Sequence, residues 1–169
     1  PGFARPRQNA AWRGLSVCHN SRMNSDNDLA LFVYGSLKPG EANWKRYCEG
    51  RVAELHPARV RGRLYKLSDG YPALAQPESG NPQPEVDLWV RGWRLVLRSA
   101  EALREIDRLE DFDPDRPVHE NVYLRTRADC FADDDTDAPV SLGAAWTYTM
   151  TPARLALEGA VEVAATIEK

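Results

Sequence analysis

Glu110 is an acidic residue at a position where the helical pattern of the sequence requires an apolar one. A helix is predicted to begin after Ser99, and at about 100° per residue Leu103, Ile106 and Glu110 fall on the same side of it. A carboxylate on the inward side of a helix must be hydrogen-bonded, neutralised or functional, because an unpaired buried charge is costly. The function open to such a group is proton transfer.

A second candidate for chemistry is the turn Tyr34-Gly35-Ser36-Leu37, which ends an apolar run that starts at Leu29. Gly35 lets the backbone turn where a side chain would clash. Successive N–H groups just past a strand can point into a common space and hold a carboxylate or a phosphate. The alternative is an ordinary strand end followed by a loop.

The acidic residues of the helix also have a structural interpretation. The helix could end before Glu110, since Asp111 and further breakers follow at once, and the side chain would then lie in solvent. Asp107, also on the inward side, could pair with Arg104 or Arg108, an exposed pair worth about 0–1 kcal/mol.

The elements that position these residues are predicted to be a mixture of strands and helices. The predicted strands are 29–33, 51–55, 58–67, 88–97, 121–131 and 140–150, and the predicted helices are 41–48, the segment capped by Ser99 and a final one from Pro152. Pro57 separates the second and third strands. In the strand 88–97, Trp89, Trp93 and Leu95 share one face, and Val90 and Val96 share the other. The last helix is expected to pack on the domain through Leu155, Leu157, Val161 and Val163.

Composition indicates an ordinary globular domain. The 169 residues are 43% hydrophobic and 28% charged, with a net charge of −3, which argues against a nucleic-acid or anionic-membrane partner. The sequence has no apolar stretch long enough to span a membrane. Three cysteines, Cys18, Cys48 and Cys130, show no metal-ligand spacing, so we predict a reduced, cytoplasmic protein.

The first 27 residues differ from the remainder of the chain. They carry Arg5, Arg7, Arg13 and Arg22 and contain no acid before Asp26. Such a leader is either an organelle transit peptide or a segment that precedes a natural start at Met23. We expect residues 1–27 to lie outside the fold and residues 28–169 to form one domain.

An ordered series of short motifs resembles the gamma-glutamylcyclotransferase-like (AIG2-like) family. The segment Val33–Asn43 matches the family's opening V-Y-G-[TS]-L-K-x-G-x-x-N signature throughout. The later matches, in the family's order, are Val60–Tyr65, Gly70–Leu74, Val90–Gly92, Ile106–Glu110, Tyr123–Arg125 and Ala145–Tyr148. The chain departs from the family pattern at Asp111, where a glycine is usual, and in the longer segment 113–121.

The resemblance implies an α+β fold, a small mixed β-barrel with flanking helices and a pocket in the barrel mouth. It implies that the backbone N–H groups of Tyr34, Gly35, Ser36 and Leu37 bind the α-carboxylate of a γ-glutamyl substrate. It also implies that Glu110 is the catalytic acid/base and that Tyr148 lines the substrate pocket. Arg125 either contacts substrate or supports the barrel.

The reaction implied by the resemblance is the cyclisation of a small-molecule γ-glutamyl amine or peptide to 5-oxoproline, with release of the free amine. It requires no metal and no cofactor, because the substrate carries its own nucleophile, the α-amine. Two alternatives stay open: a binding protein of the same fold without turnover, and a biosynthetic enzyme that removes a γ-glutamyl group. A serine hydrolase fits less well because Ser36 has no obvious histidine partner. A monomer or a homodimer is expected.

Overall fold

The computed structural model describes residues 28–76, 88–134 and 138–163, and the predicted leader 1–27 lies outside these residues. The elements in chain order are β1 (Ala30–Val33), α1 (Trp44–Tyr47), β2 (Val52–Arg61), β3 (Arg63–Lys66), β4 (Pro72–Ala75), β5 (Trp89–Leu97), α2 (Ala100–Leu109), a 3-10 turn (Val118–Glu120), β6 (Leu124–Ala132), β7 (Ser141–Thr149), α3 (Pro152–Leu157) and β8 (Val161–Glu162). None of the helices in the described ranges is long and apolar enough to cross a membrane.

Five strands close into a barrel in the order β1-β5-β2-β6-β7. The barrel is mixed, because β1 runs parallel to β7, with Leu31 beside Trp146, and the other neighbouring pairs are antiparallel. A second sheet, β4-β3-β8, adjoins the barrel where β7 ends, and Met150 donates its N–H to the carbonyl of Leu74 at 2.9 Å. The predicted α+β fold with a small mixed β-barrel is confirmed.

The alternation of side chains along β5 builds a core on each side of the barrel wall. Val90 and Val96 belong to a cluster that draws side chains from all five barrel strands and therefore fills the interior. Leu95 and Leu97 face outward and pack with Leu103 of α2. The two faces predicted for this strand are confirmed.

Helix α2 begins at the predicted cap. The Ser99 hydroxyl accepts a hydrogen bond from the Ala102 N–H at 3.2 Å, which satisfies one of the free donors of the first turn. Leu103 and Ile106 are buried against the barrel. This packing holds the end of α2, with Glu110, beside the end of β1.

Two predicted boundaries around β2 are wrong. The strand does not break at Pro57, which pairs with Trp93 and accepts the N–H of Asp133 at 3.3 Å. Pro57 lies just beyond the short stretch of β2 that pairs with β6, so its missing N–H interrupts no bond of that ladder. The chain breaks at Gly62, where a Cβ would lie 2.8 Å from the Ala75 carbonyl oxygen.

The final helix is shorter than predicted. It ends at Leu157, because Gly159 adopts a φ of 61°, and β8 follows. Leu155 is buried as expected, but Leu157 and Val161 are 82% and 69% exposed. Val163, 42% exposed, also does not join a helical stripe.

Candidate active site

The backbone of Glu110 is fixed by the way in which α2 ends. Glu110 is the C-cap, and its N–H still donates to the Ile106 carbonyl at 3.0 Å. The next two N–H groups turn back on the helix, from Asp111 to the Arg108 carbonyl and from Phe112 to the Asp107 carbonyl. This is a Schellman motif, which satisfies carbonyls that a helix end otherwise leaves free.

Asp111 occupies the left-handed position of that motif, with a φ of 49°. Glycine is the usual residue there because it has no Cβ, and aspartate is one of the few alternatives that tolerate the conformation. The Asp111 carboxylate accepts from the Arg116 guanidinium at 2.9 Å. The departure from the family pattern therefore keeps the turn that the usual glycine would make.

The Glu110 side chain lies in a cleft rather than in solvent. The helix does end at Glu110, as the structural interpretation predicted. The side chain is nevertheless half-buried and lines the cleft. Burial raises the pKa of Glu110 to about 7. Among the residues that the structure describes, none donates a hydrogen bond to this carboxylate or pairs with it. A carboxyl that titrates near neutrality and has no partner is available for proton transfer.

The turn after β1 forms the opposite wall of the cleft. Gly35 is required there, because a Cβ would lie 2.8 Å from Cγ of Pro72. The turn is held by hydrogen bonds from the Lys38 N–H to the Gly35 carbonyl and from Asn43 to both the carbonyl and the hydroxyl of Ser36. In the described ranges, the N–H groups of Gly35, Ser36 and Leu37 have no protein acceptor. Three consecutive free donors beside a cleft can hold an oxyanion.

Two tyrosine hydroxyls fasten the walls of the cleft to each other. The Tyr34 hydroxyl donates to the Tyr148 carbonyl at 2.7 Å and accepts from the Leu74 N–H at 3.1 Å. The Tyr123 hydroxyl donates to the Pro72 carbonyl at 3.0 Å. Burial raises the pKa of both phenols, and the nearby Glu110 carboxylate adds to the rise. These tyrosines therefore stay neutral and act as fixed donors.

The second carboxylate of α2 is used for structure. Asp107 is 7% exposed and accepts from the Tyr148 hydroxyl at 2.8 Å and from the Arg125 guanidinium at 2.6 Å. Burial raises the pKa of Asp107, and these two hydrogen bonds oppose the rise. Arg125 also stacks on Phe112 and Trp146, with 5.3 and 4.9 Å from its Cζ to the ring centroids. The partners that the sequence suggested for Asp107 were Arg104 and Arg108, and neither makes this bond.

The structure gathers most of the predicted site residues around one cleft, which encloses about 410 Å³ including its open mouth. Its lining residues are Phe32, Val33, Tyr34, Gly35, Ser36, Leu37, Tyr71, Pro72, Glu110, Tyr123 and Tyr148. Arg125 is not among them. Its guanidinium is hydrogen-bonded to Asp107. Of the two roles considered, contact with substrate and support of the barrel, this bond favours support of the barrel.

Five lining residues were not among the predicted site residues: Phe32 and Val33, which precede the turn on β1, and three that lie elsewhere in the chain. Tyr71 and Pro72 belong to the Gly70–Leu74 motif, and Tyr123 belongs to the Tyr123–Arg125 motif. Their positions in those motifs were the sequence feature that could have identified them as cleft residues. The sequence alone could not show that both motifs close over the same turn.

The fold and the site together define a mixed-barrel domain with a cleft at one end, and that cleft holds one carboxyl and a row of free amide donors. The chain belongs to the family described as "Gamma-glutamyl cyclotransferase, AIG2-like", whose model matches residues 31–164. No curated protein matches the sequence.

Several solved structures are similar to this chain. An AIG2-like protein from Mus musculus is 22% identical over 75% of this chain and 82% of that chain, with a TM-score of 0.48. A protein from Arabidopsis thaliana is 25% identical over 71% of this chain and 60% of that chain, with a TM-score of 0.44. YkqA from Bacillus subtilis is 18% identical over 73% of this chain, with a TM-score of 0.47, and the present chain spans only 36% of its length.

Proposed function

We propose that this protein is a γ-glutamylcyclotransferase in which Glu110 is the general acid and base. The observation that carries the proposal is the unpartnered Glu110 carboxyl, with a pKa raised to about 7, in the same cleft as the free N–H groups of Gly35, Ser36 and Leu37. The substrate class is a γ-glutamyl amine or peptide, and the products are 5-oxoproline and the free amine.

The amide donors fit the α-carboxylate of the γ-glutamyl group. Three N–H groups on consecutive residues can hold both oxygens of a carboxylate without a cationic side chain. Glu110 is the one charged residue among the cleft residues that the structure describes. A substrate whose carboxylate rests on the turn would therefore direct its α-ammonium toward the opposite charge across the cleft.

The chemical step needs a proton to move twice. Glu110 takes a proton from the α-ammonium, and the freed amine attacks the δ-carbonyl carbon, so that a C–N bond forms and closes a five-membered ring. Glu110 then returns the proton to the departing nitrogen as the original C–N bond breaks, and the second proton that the ring nitrogen must lose goes to the released amine, which leaves as an ammonium ion. A carboxyl with a pKa near 7 is suited to both roles at neutral pH, because it is substantially populated in either form.

The protein supplies orientation as well as the proton. Intramolecular attack has an effective molarity of about 10⁵ M or more when the reacting atoms are aligned. Fixing the α-carboxylate in the turn would select the folded-back conformer in which the amine lies over the carbonyl carbon. Because the turn would supply orientation and Glu110 the proton, a single ionisable side chain would be sufficient for the reaction.

The test is the release of 5-oxoproline from a panel of γ-glutamyl amino acids, γ-glutamyl-ε-lysine and glutathione. The wild type is compared with Glu110→Gln and with Glu101→Gln, an exposed glutamate in the first turn of the same helix. We expect turnover of at least one substrate by the wild type and the Glu101 variant, and its loss in the Glu110 variant. Thermal stabilisation by these compounds with no 5-oxoproline formed would instead indicate a binding protein.

A further inference from the structure

Arg94 is a charged residue inside the barrel. It lies on β5 between Gly92 and Val96, on the face whose other members, Val90 and Val96, belong to the interior cluster. Only 8% of Arg94 is exposed. Other members of the interior cluster, such as Ala58 and Cys130, have small side chains. A strand interior of this kind normally carries an apolar residue.

The guanidinium of Arg94 has no partner within the described ranges. Its Nε is buried and donates to no acceptor, and the residue makes no ion pair. Arginine stays charged in proteins, so it cannot avoid the cost of burial by losing its proton. Asp133, which follows β6, pairs instead with the guanidinium of Arg91 at 3.3 Å. The terminal nitrogens of the guanidinium keep some solvent contact and have no protein acceptor, so they are free to pair with an oxyanion.

The side chain lies away from the cleft. Phe32 on β1 is the residue opposite Arg94. The Phe32 ring leans toward Gly92, where a Cβ would lie 2.8 Å from Cζ of the ring. Gly92 is nearer than Arg94 to the cleft end of β5, so the aromatic ring stands between Arg94 and the cleft. An anion bound by Arg94 would therefore not share the proposed substrate site.

The ladder between β2 and β6 is short on the side of the barrel next to Arg94. On the other side of β5, His56 of β2 is the residue opposite Arg94, and its side chain is 54% exposed. Strand β2 stays paired with β5 down to Val52, but its pairing with β6 stops at Ala58. The ladder between β2 and β6 therefore ends before the level of His56.

We propose that Arg94 anchors a second binding site, for a small oxyanion, inside the barrel at the end opposite the cleft. The ligand carries a phosphate, sulfate or carboxylate group that pairs with the guanidinium and enters between β2 and β6. A large polyanion is disfavoured by charge, because Glu54 lies 3.9 Å from His56 at the rim and Asp133 is hydrogen-bonded to Pro57 at the same end. Occupancy would convert a destabilising buried charge into a bidentate ion pair.

The test measures thermal unfolding of the wild type, Arg94→Met and Arg91→Gln in chloride, phosphate, sulfate and acetate at equal ionic strength. Arg91 is the matched control, since it lies on the same strand but faces outward and is exposed. At about ten times Kd the bound anion should raise the Tm of the wild type and of Arg91→Gln by about 3–6 °C. Comparing the anions distinguishes a phosphate-type from a carboxylate ligand.

Arg94→Met should lack this response and should have a higher Tm than the wild type in chloride, because it removes the unpaired charge. An equal response in Arg94→Met and the wild type would overturn the proposal, since the anion would then be bound elsewhere, such as on the Gly35–Leu37 turn. If Arg94→Met does not fold, calorimetric titration of phosphate and acetate into the wild type, Arg91→Gln and Arg94→Gln decides. Heat of binding that Arg91→Gln keeps and Arg94→Gln loses supports the site, and equal heat in both variants, or no heat with either anion, contradicts it.

Discussion

Asp107 and Glu110 are two carboxylates on the same face of the same helix, three residues apart, and they have opposite surroundings. Asp107 is buried and accepts hydrogen bonds from Tyr148 and Arg125. Glu110 is half-buried, faces a cleft and has no partner among the described residues. One acid has its hydrogen bonds supplied by the fold, and the other has none from the described residues.

The difference arises from what the barrel places opposite each residue. Arg125 and Tyr148 are direct neighbours across the β6–β7 ladder, so a cation and a phenol are presented together to Asp107. One turn later α2 has passed the end of the barrel wall, and Glu110 meets the turn after β1, which offers its amide groups to the cleft. The same functional group is therefore hydrogen-bonded by the fold in one place and left without a partner in the other.

The largest expected effect is on turnover. Glu110→Gln should lower the rate of 5-oxoproline release by about 10²- to 10⁴-fold, because it removes the group that carries the proton. Asp107→Asn should lower it much less at a temperature well below its Tm, since Asp107 touches no cleft atom that reacts. Measurement of kcat for both variants checks the contrast. An Asp107 variant as inactive as the Glu110 variant would mean that the two carboxylates act as one unit.

The next largest effect is on stability. Here the substitution of Asp107 should have the larger effect and that of Glu110 the smaller. Asp107→Asn should cost about 1–3 kcal/mol of unfolding free energy, because it leaves the half-buried Arg125 guanidinium without its counter-charge. Glu110→Gln should cost nothing or stabilise at neutral pH, since no partner is lost. Urea denaturation of both variants at neutral pH measures the difference. A large loss in Glu110→Gln would contradict the absence of partners around that carboxylate.

The stability of the wild type should also depend on pH because of Glu110. Glu110 titrates at about 7 in the folded protein and near 4.5 unfolded, so the folded state holds the extra proton between these values. The free energy of unfolding should therefore fall as pH rises from about 5 to 8, by roughly 3 kcal/mol from this residue. Over the same range kcat/KM should rise, as the base form appears.

The Glu110→Gln variant is the control for that pH dependence. Its stability should lack the decline, and subtracting its curve from that of the wild type isolates the contribution of Glu110. Parallel curves for the two proteins would place the titration in another group.

The smallest expected effect concerns the turn that positions Glu110. Asp111→Ala should cost about 1 kcal/mol, because alanine at a positive φ has no side-chain hydrogen bond to offset the strain. Asp111→Gly should be neutral or stabilising by less than about 1 kcal/mol, since it removes the strain but increases the freedom of the unfolded chain. Denaturation at high and low salt separates this effect from loss of the Arg116 ion pair. An Ala variant as stable as the Gly variant would exclude backbone strain.

Much of the fold could be predicted from the sequence by local rules. The Ser99 cap, the two faces of β5 and the inward side of α2 depend on periodicity and capping, which act within a few residues. The predictions failed where distant contacts decide. Pro57 stays inside a strand because of where β6 stops pairing, and the stripe from Leu155 to Val163 is cut by Gly159 and by the edge of the β4-β3-β8 sheet.

The sequence by itself determined that an acid lies on the inward side of α2, that a glycine turn follows β1, and that both occur in an order shared with a known family. Only the tertiary structure decided which of the two acids stays unpaired, and that Tyr71, Pro72 and Tyr123 close over the turn. The reason is that the free energy of a carboxylate depends on donors and solvent within a few ångströms, and strands distant in the chain supply them. For the same reason the unpaired charge of Arg94 became visible only once the barrel was closed.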